Sequence, residues 1–292
     1  MSTVLVTGVT GFVGSHIAAE LCRRGHRVIG STSSDAGMRL GIPGVAHVFV
    51  LNLKDQVDPA IVRGVDAVIH CAWDLRPCTG AFNVTGTQRL VDAARRAGAV
   101  HQLFISTYSA HAAAVTEYGK TKLVVQESML AGGHAVVRLG ITIGRGGIYR
   151  RMCDTLAHHR VVPLIDGGRG LVPIVAIADL DQALAAIVEG GRTGQFNLFN
   201  PELVPLRDLM FEIRSLAPRR AMLVPVPASV LLAPLWLARK IGVNLPLDGD
   251  NVRALRANYG VRDRSDLTDF VPRPMSLAQM VRAAVPEGPA AP

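Results

Sequence analysis

The sequence predicts an α/β fold, a doubly wound parallel (Rossmann-type) sheet with a smaller C-terminal lobe. Short, nearly continuous apolar runs alternate with stretches of helical spacing, which is typical of a parallel sheet covered on both faces. Three glycines, Gly8, Gly11 and Gly14, follow the first of these runs. The chain has 292 residues, enough for one large domain or for a domain with a smaller lobe.

The first strand is predicted over Thr3 to Thr7, and a helix begins near Phe12, where apolar residues start to recur at helical spacing. The three glycines therefore lie at a strand-to-helix turn. Without side chains the backbone can approach a ligand there, and the helix N-terminus offers free N–H groups to a phosphate. A merely tight turn is the other interpretation. The strands and helices that follow favour the first turn of a dinucleotide-binding fold.

The remaining elements of the sheet follow in order. Five further strands are predicted at His26 to Gly30, Val45 to Leu51, Asp66 to Ala72, Gln102 to Ser106 and His134 to Leu139. Two helices are predicted at Thr85 to Ala97 and Lys120 to Leu130, and a late strand at Gln195 to Phe199.

A second constellation contains hydroxyl groups and a lysine. Tyr118 and Lys122 are four residues apart at the start of a helix, so their side chains share one face. A lysine ammonium favours the phenolate and lowers the pKa of a tyrosine from its usual ~10. Such a tyrosine can exchange a proton with a carbonyl or alcohol. A surface helix that happens to contain both residues is the alternative.

Ser106 and Thr107 end the fifth strand, at the edge where parallel sheets bind ligands. Either hydroxyl could hydrogen-bond the same substrate oxygen as Tyr118, or serve as a turn or helix cap.

Charge and cysteine content argue against a nucleic-acid-binding protein and against a disulfide or metal site. The net charge is +8, and 27 of the 31 basic residues are scattered arginines, which predicts a general attraction for anionic ligands and no nucleic-acid surface. The four cysteines have no metal-site or disulfide spacing, which suits the cytoplasm. No signal peptide is expected, because the sequence enters a predicted strand at once. No stable membrane insertion is expected, since the most apolar run, Met222 to Leu237, is short and contains prolines.

Together these motifs resemble the extended short-chain dehydrogenase/reductase superfamily, in its NAD-dependent epimerase/dehydratase group. TGVTGFVG matches the family's TGxxGxxG, DAVIHCA its fourth-strand motif, and Tyr118 with Lys122 its catalytic pair. FNVTGT matches its Asn-x-x-Gly motif at Asn83 and Gly86. VRLGITIG resembles the arginine-bearing sixth strand, and IADLDQAL the later acidic motif. The resemblance runs from Val4 to about Phe199 and loosely to the C-terminus.

The resemblance implies a catalytic set and a dinucleotide site. Tyr118 would be the acid/base, and Lys122 would hold the nicotinamide ribose and depress the pKa of Tyr118. Thr107 would be the catalytic Ser/Thr, with Ser106 as second choice. Phe12 and Val13 would approach the pyrophosphate, Asn52 and Leu53 the adenine. The full implied cofactor site is Gly8, Thr10, Gly11, Phe12, Val13, Gly14, Thr32, Ser33, Arg39, Asn52, Leu53, Cys71, Ala72, Trp73, Asn83, Tyr118 and Lys122.

One departure from the family concerns the cofactor. NAD-specific sites usually end the second strand with a carboxylate that accepts from the ribose 2′-hydroxyl. Here Thr32 or Ser33 stands at that place, and Asp35 comes later. Hydroxyls do not repel a 2′-phosphate, and Arg39 could supply a countercharge. The cofactor is therefore NADP or NAD, with NADP preferred. Alternatively, Asp35 folds back and serves NAD.

A second departure concerns the substrate. Sugar-nucleotide members carry an Arg-Asp-aromatic stretch whose arginine grips the phosphates, whereas this chain has Val172, Pro173 and Ile174. The expected small-molecule substrate is thus a less charged, more hydrophobic carbonyl or alcohol. Four arginines in the lobe could still hold an anion, although solvated arginines are the simpler interpretation: Arg145, Arg150, Arg151 and Arg169.

The predicted domains follow the same template. Residues 1–141 with about 175–199 would bind the dinucleotide, 142–174 with 200–285 would bind substrate, and 286–292 would be a disordered tail. The apolar stretch Ser229 to Ile241 is interpreted as core or subunit contact, which allows for a homodimer; membrane-surface binding is the sharper alternative.

Three functions remain open at this point. The first is an NAD(P)-dependent oxidoreductase acting on a carbonyl/alcohol pair. The second is a nucleotide-sugar epimerase or dehydratase that retains NAD. The third is a non-catalytic dinucleotide-binding subunit or sensor, and the intact set of Thr107, Tyr118 and Lys122 argues against it.

Overall fold

The computed structural model describes residues 1–39, 41–99, 101–217, 220–230 and 249–285. The strands are β1 (Thr3–Thr7), β2 (Arg27–Thr32), β3 (His47–Val50), β4 (Ala67–His70), β5 (His101–Thr107), β6 (Ala135–Leu139), β7 (Ile141–Ile143), β8 (Val161–Ile165), β9 (Leu171–Val172), β10 (Ile174–Ala176), β11 (Gly194–Leu198), β12 (Val204–Pro205) and β13 (Met222–Val226).

The described α-helices are α1 (Phe12–Arg23), α2 (Asp35–Met38), α3 (Gly80–Arg96), α4 (Glu117–Ala131), α5 (Gly147–His158), α6 (Ile177–Glu189), α7 (Leu206–Leu216), α8 (Gly249–Asn258) and α9 (Leu277–Ala284). Short 3₁₀ turns lie at Pro59–Val62, Asp166–Gly168 and Leu267–Asp269. Within the described ranges, no helix is long and apolar enough to cross a membrane.

Seven strands form one parallel sheet in the order β3-β2-β1-β4-β5-β6-β11. The strand order reverses between β1 and β4, so the loops after these two strands diverge and leave a crevice at the carboxyl edge of the sheet. The predicted doubly wound parallel fold is confirmed, and each strand predicted for this sheet appears within a few residues of its expected bounds.

Helices cover both faces of the sheet because consecutive strand residues point to opposite sides. On β1, Val4 and Val6 pack into the core formed with α1 and α6, whereas Leu5 packs into the core formed with α3. All three side chains are fully buried. Their β-branched and aliphatic character is therefore required on both faces, which explains the continuous apolar runs.

The described part of the lobe contains three two-stranded sheets, which pair β7 with β10, β8 with β13, and β9 with β12. Side chains from α5, α7 and α9 close its separate apolar core, which includes Leu156, Leu209 and Met280. The predicted boundary at residue 200 differs from the packing, because Leu267 and Val271 lie in the core of the large sheet.

The segment before Leu267 is held there by backbone bonds to β11. The N–H of Asp266 donates to the carbonyl of Asn197 over 2.9 Å, and the Asp266 carboxylate accepts from the N–H of Asn197 over 2.8 Å. Two sequence predictions, the disordered tail 286–292 and most of the apolar stretch from Ser229 to Ile241, lie outside the described residues.

Candidate active site

The glycine turn after β1 is packed so closely that side chains cannot enter it. Gly8 has φ +63°, and a Cβ there would lie 2.9 Å from the Cα of Ala72. A Cβ on Gly14 would overlap the carbonyl oxygen of Gly8. Because both obstacles are backbone atoms, neither can swing aside, and the glycines at 8 and 14 are a steric requirement of the turn.

The turn leads into a helix end that is free to bind an anion. Gly11 is the N-cap of α1, and among the described residues no side chain caps this end and no acid stands in its first turn. The N–H groups of Phe12, Val13 and Gly14 have no intrahelical acceptors at this position of a helix. A backbone-lined turn with a free helix N-terminus fits the pyrophosphate of a dinucleotide.

Phe12 and Val13 contribute to this site through their backbone only. The ring of Phe12 packs on the lobe, where a Cβ on Gly144 would lie 2.8 Å from its Cζ and a Cβ on Gly147 3.1 Å from its Cδ1. Val13 packs against the core of the sheet. The expectation that these residues approach a pyrophosphate is therefore limited to their N–H groups.

Sequence reasoning missed Thr7, which joins the two loops at the crevice. Its buried hydroxyl accepts from the N–H groups of Cys71 and Ala72, over 3.1 and 3.0 Å. The end of β1 is thereby fixed to the loop that follows β4. A threonine at the carboxyl end of the first strand was the available signal.

Ser106 and Thr107 point to opposite faces of the sheet. The buried hydroxyl of Ser106 donates to Gln126 Oε1 over 2.9 Å, and Gln126 donates in turn to Gln195 Oε1 over 3.1 Å. Thr107, by contrast, interacts with Tyr118, whose pKa it lowers, and its own hydroxyl accepts from the N–H of Ser109 over 3.3 Å. The prediction of Ser106 as the alternative catalytic hydroxyl is therefore corrected. Because side chains alternate along a strand, the Ser106 hydroxyl points into this network and away from Tyr118.

Lys122 is buried, with only 3% of its surface exposed. Its ammonium donates to the carbonyl of Ile105 over 2.6 Å and lies 4.0 Å from the centre of the Trp73 ring and 4.5 Å from that of Phe104. Burial lowers the pKa of Lys122 to about 7, with Cys71 acting weakly in the opposite direction.

The pKa of Tyr118 is raised by burial of its hydroxyl, and the hydrogen bond with Thr107 only partly offsets this, although 39% of the residue is exposed. The expected lowering of this pKa by Lys122 is therefore not found. The lysine ammonium contacts the Ile105 carbonyl and two aromatic rings, and these contacts, not the Tyr118 hydroxyl, are its partners. A protonated phenol beside Thr107 results.

The end of β2 carries hydroxyls, as expected. The hydroxyls of Thr10 and Thr32 lie 3.1 Å apart, and Thr32 is closed in by Gly37, whose Cβ would overlap Thr32 Oγ1. Ser33 and Arg39 are exposed, as is Asp35 in the first turn of α2. The Thr32 side chain is thus buried against Gly37, whereas the Ser33 side chain is accessible to a ligand.

The residues expected around the adenine and the β4 loop serve partly as structural supports. The Asn52 carboxamide oxygen accepts from the N–H of Lys54 over 3.1 Å. A Cβ on Gly86 would overlap the carbonyl oxygen of Leu53, so α3 packs directly on that backbone. Asn83 donates to the carbonyl of Asp74 over 2.8 Å and accepts from its N–H over 2.9 Å.

Of the residues predicted to bear on the substrate, two are in the lobe core, two arginines have partners on the protein, and Arg151 and Arg169 are exposed. Val172 and Ile174 are buried in the lobe core. Arg145 donates to the carbonyl of Val285 over 3.1 Å, and Arg150 pairs with Asp154 over 2.9 Å.

Arg138, from the sixth-strand motif, is buried between the sheet and the C-terminal segment. It pairs with Asp263 over 2.6 Å and donates to the carbonyl of Tyr108 over 3.0 Å. The acidic motif is used similarly: Asp179 accepts from the N–H of Met275 over 2.8 Å, and Asp181 lies 3.3 Å from His16 on α1.

Comparison with known proteins agrees with this geometry. Residues 4–198 match the model of the NAD dependent epimerase/dehydratase family. UDP-glucuronic acid decarboxylase 1 from Arabidopsis thaliana is 27% identical over 241 residues, 68% of this chain and 54% of that protein. A 3-diazoavenalumate denitrifying reductase from a Streptomyces species is 28% identical over 242 residues, 69% of this chain and 77% of that protein.

The chain spans about half the length of the first of these curated relatives. Among solved structures, a UDP-glucose 4-epimerase from Thermotoga maritima, determined with UDP-glucose, has a TM-score of 0.74 at 16% identity and covers 97% of both chains. At that identity the likeness shows the fold alone.

Proposed function

We propose that this chain, which belongs to the NAD dependent epimerase/dehydratase family, is an NAD(P)-dependent oxidoreductase that acts on a carbonyl/alcohol pair. The observation that carries the proposal is the placement of Tyr118 and the buried Lys122 one turn apart on α4, with Thr107 at the end of β5 acting on the Tyr118 phenol. These groups follow β5, at the same edge of the sheet as the glycine turn after β1.

The cofactor, when bound, supplies the hydride acceptor or donor. The turn from Gly8 to Gly14 would hold its pyrophosphate through the N–H groups of α1. Thr107 would hydrogen-bond the substrate oxygen, and Tyr118 would move a proton at that same oxygen. Because burial raises the pKa of Tyr118, its hydroxyl is protonated at neutral pH and is ready to donate as a carbonyl is reduced.

The substrate we propose is a small, weakly charged and partly hydrophobic carbonyl compound. Val172 contributes an apolar side chain to the lobe core where sugar-nucleotide members of the family carry a phosphate-binding arginine. Arg145 and Arg150 already have partners on the protein. The apolar Val172 at that position, with two of the four predicted lobe arginines already engaged, favours a substrate without a pyrophosphate.

A nucleotide-sugar epimerase or dehydratase with retained NAD is the second candidate. Relatives that act on UDP-sugars, such as the decarboxylase from Arabidopsis thaliana, favour it by name. The two candidates differ in cofactor release, because an enzyme that returns hydride to the same substrate gains by keeping its nucleotide. Mass spectrometry of the purified protein under native conditions distinguishes them: bound NAD favours the second candidate, and nucleotide-free protein the first.

The test of the activity uses a panel of ketones, hydroxysteroids and sugar nucleotides with NADH and NADPH, followed at 340 nm and by product analysis. Tyr118→Phe should keep the fold and the cofactor but lower turnover by about 10²–10⁴, the usual effect of losing a positioned general acid. Tyr108→Phe is the matched control, since the Tyr108 hydroxyl donates to the carbonyl of Val261 and should affect only stability. Undiminished turnover by Tyr118→Phe would refute the mechanism.

We also propose that NADP(H) is preferred over NAD(H). The exposed residues at the end of β2, Ser33 and Arg39, could accept a 2′-phosphate. Since Thr32 is packed against Gly37, the informative substitution is Ser33→Asp, which should reverse the preference through repulsion. Calorimetry measures both dissociation constants. Wild-type protein that binds NAD(H) tenfold more tightly, by ~1.4 kcal/mol, would contradict the preference.

A cytoplasmic homodimer is proposed as the working state. All four cysteines are free thiols, which suits a reducing compartment. Sedimentation velocity at micromolar concentration tests the assembly, and a single species of monomer mass would exclude the dimer under those conditions.

A further inference from the structure

The ammonium of Lys122 is buried without a counter-ion among the residues that the structure describes. Its hydrogen-bond acceptor is the neutral carbonyl of Ile105. Two titratable residues at the end of β4 face the ammonium, His70 and Cys71. Burial lowers the pKa of His70 to about 4 and raises the pKa of Cys71 to about 12. Both are uncharged at neutral pH. On its own helix, one turn earlier, stands the protonated Tyr118.

Two aromatic rings lie where a buried ammonium would usually have a carboxylate as its counter-ion. The ammonium lies 4.0 Å from the centre of the Trp73 ring and 4.5 Å from that of Phe104. The negative face of an aromatic ring attracts a cation, most strongly for tryptophan and where water is excluded. Phe104 is a fully buried core residue, whereas Trp73 is only half-buried in the loop after β4.

The Trp73 ring is held in place from two sides. Its indole is tilted by 55° on Phe104, at 5.9 Å between ring centres. The next residue, Asp74, is fixed through both its N–H and its carbonyl by Asn83 of α3. The asparagine of the Asn-x-x-Gly motif thereby orients the loop that places the indole over Lys122.

We propose that Trp73 is a positioning residue for Lys122, holding its ammonium in the charged form at the place where the proposed function needs a cation for the cofactor ribose. The effect on nucleotide binding rests on the proposed function, whereas the titration of Lys122 can be measured without it. Trp73 sets the pH range over which Lys122 is charged. Nucleotide affinity should therefore fall as the pH rises through the Lys122 midpoint.

The test exploits the scarcity of lysine in this chain. Four lysines give four ¹³Cε/¹Hε signals in protein labelled with [¹³Cε]lysine: Lys54, Lys120, Lys122 and Lys240. The Lys122 signal, assigned with Lys122→Arg, should be shifted upfield by the indole ring current. In Trp73→Leu the ring-current shift should disappear and the titration midpoint should fall by about one pH unit, the size expected for a desolvated cation–π contact.

Trp73→Phe keeps an aromatic face and should give an intermediate midpoint, with thermal unfolding recorded to check that each variant is folded. Phe82→Leu is the matched control, because it removes the exposed ring that lies 5.5 Å from Lys54 and should leave Lys122 unchanged. An unchanged or higher midpoint in Trp73→Leu, or equal midpoints in the Phe and Leu variants, would overturn the proposal.

The same variants give a second readout in calorimetry of NADPH binding. The pH at which affinity is half lost should move down in the order wild type, Trp73→Phe, Trp73→Leu. The lysine titration requires neither substrate nor nucleotide, so it stands or falls separately from the proposed oxidoreductase activity. A titration that follows the expected order with pH-independent NADPH binding would refute the link to the cofactor.

Discussion

Two glycine-rich loops of this chain look alike in sequence and differ in what surrounds them. In the turn after β1, added Cβ atoms at Gly8 and Gly14 would meet backbone, at Ala72 and at Gly8 itself. In the lobe loop 166–170, a Cβ on Gly170 would overlap the ring of Tyr259. The first loop leaves helix N–H groups free, whereas the second is filled by a side chain. Glycine content alone therefore does not identify a ligand-binding turn.

The sharpest way to separate the two loops is to add side chains to each. Gly11→Leu should keep the fold, since the N-cap φ is −78° and the tight contact of its Cβ with the Gly8 oxygen, at 3.1 Å, is relieved by a shift of a few tenths of an ångström. It should weaken NAD(P)H binding at least a hundredfold, ~2.7 kcal/mol, by filling the place where a pyrophosphate approaches. Isothermal calorimetry and thermal unfolding measure the two effects; wild-type affinity would show that the turn binds no nucleotide.

Gly170→Ala provides the reverse case. Its Cβ forces the Tyr259 ring to move, so the free energy of unfolding should fall by about 1–3 kcal/mol, as in overpacked cores. Nucleotide affinity should stay within twofold of wild type. A parallel loss of binding would mean that the lobe loop also takes part in the cofactor site.

Much of the cofactor half was predictable because its constraints are local. Strand and helix patterns, the glycine turn and the Tyr118/Lys122 spacing are properties of neighbouring residues. The side chains that Ser106 and Lys122 face were not predictable, because those partners are distant in sequence. Gln195 completes the Ser106 network, and Trp73 lies over Lys122. The predicted extent of the lobe, to residue 285, differs from the packing for the same reason, since Leu267 packs into the core of the large sheet.

A buried ion pair is one of the links between β6 and the C-terminal segment. Arg138 is 4% exposed and pairs with Asp263 over 2.6 Å, with the aspartate about a third exposed. Asp263→Asn leaves the guanidinium without a countercharge and should lower the free energy of unfolding by about 2 kcal/mol, less than for a fully buried pair. Urea denaturation measures it. The surface control Asp269→Asn should change stability by less than about 0.5 kcal/mol.

The cofactor half should also respond to alkaline pH through Lys122. Burial lowers the pKa of Lys122 to about 7, against its usual ~10.4 when unfolded. Between these values the unfolded chain binds more protons, so stability should rise with pH, by at most ~1.4 kcal/mol per pH unit from this group. Lys122→Met should lack this rise. Urea titrations at pH 7 and 9 measure the difference, and parallel pH dependences of the two proteins would contradict the lowered pKa of Lys122.

The smallest effect should come from Ser106, and it decides between the two hydroxyls that end β5. The Ser106 hydroxyl donates to Gln126 within a buried network, on the face opposite to Tyr118. Ser106→Ala removes one neutral hydrogen bond and should cost about 1 kcal/mol of stability, with kcat unchanged within twofold. Thr107→Val, which removes the partner of Tyr118, should instead lower kcat at nearly unchanged stability. If Ser106→Ala were the variant that lost turnover, the strand register at β5 would have to differ, and Thr107 would lose its assigned role.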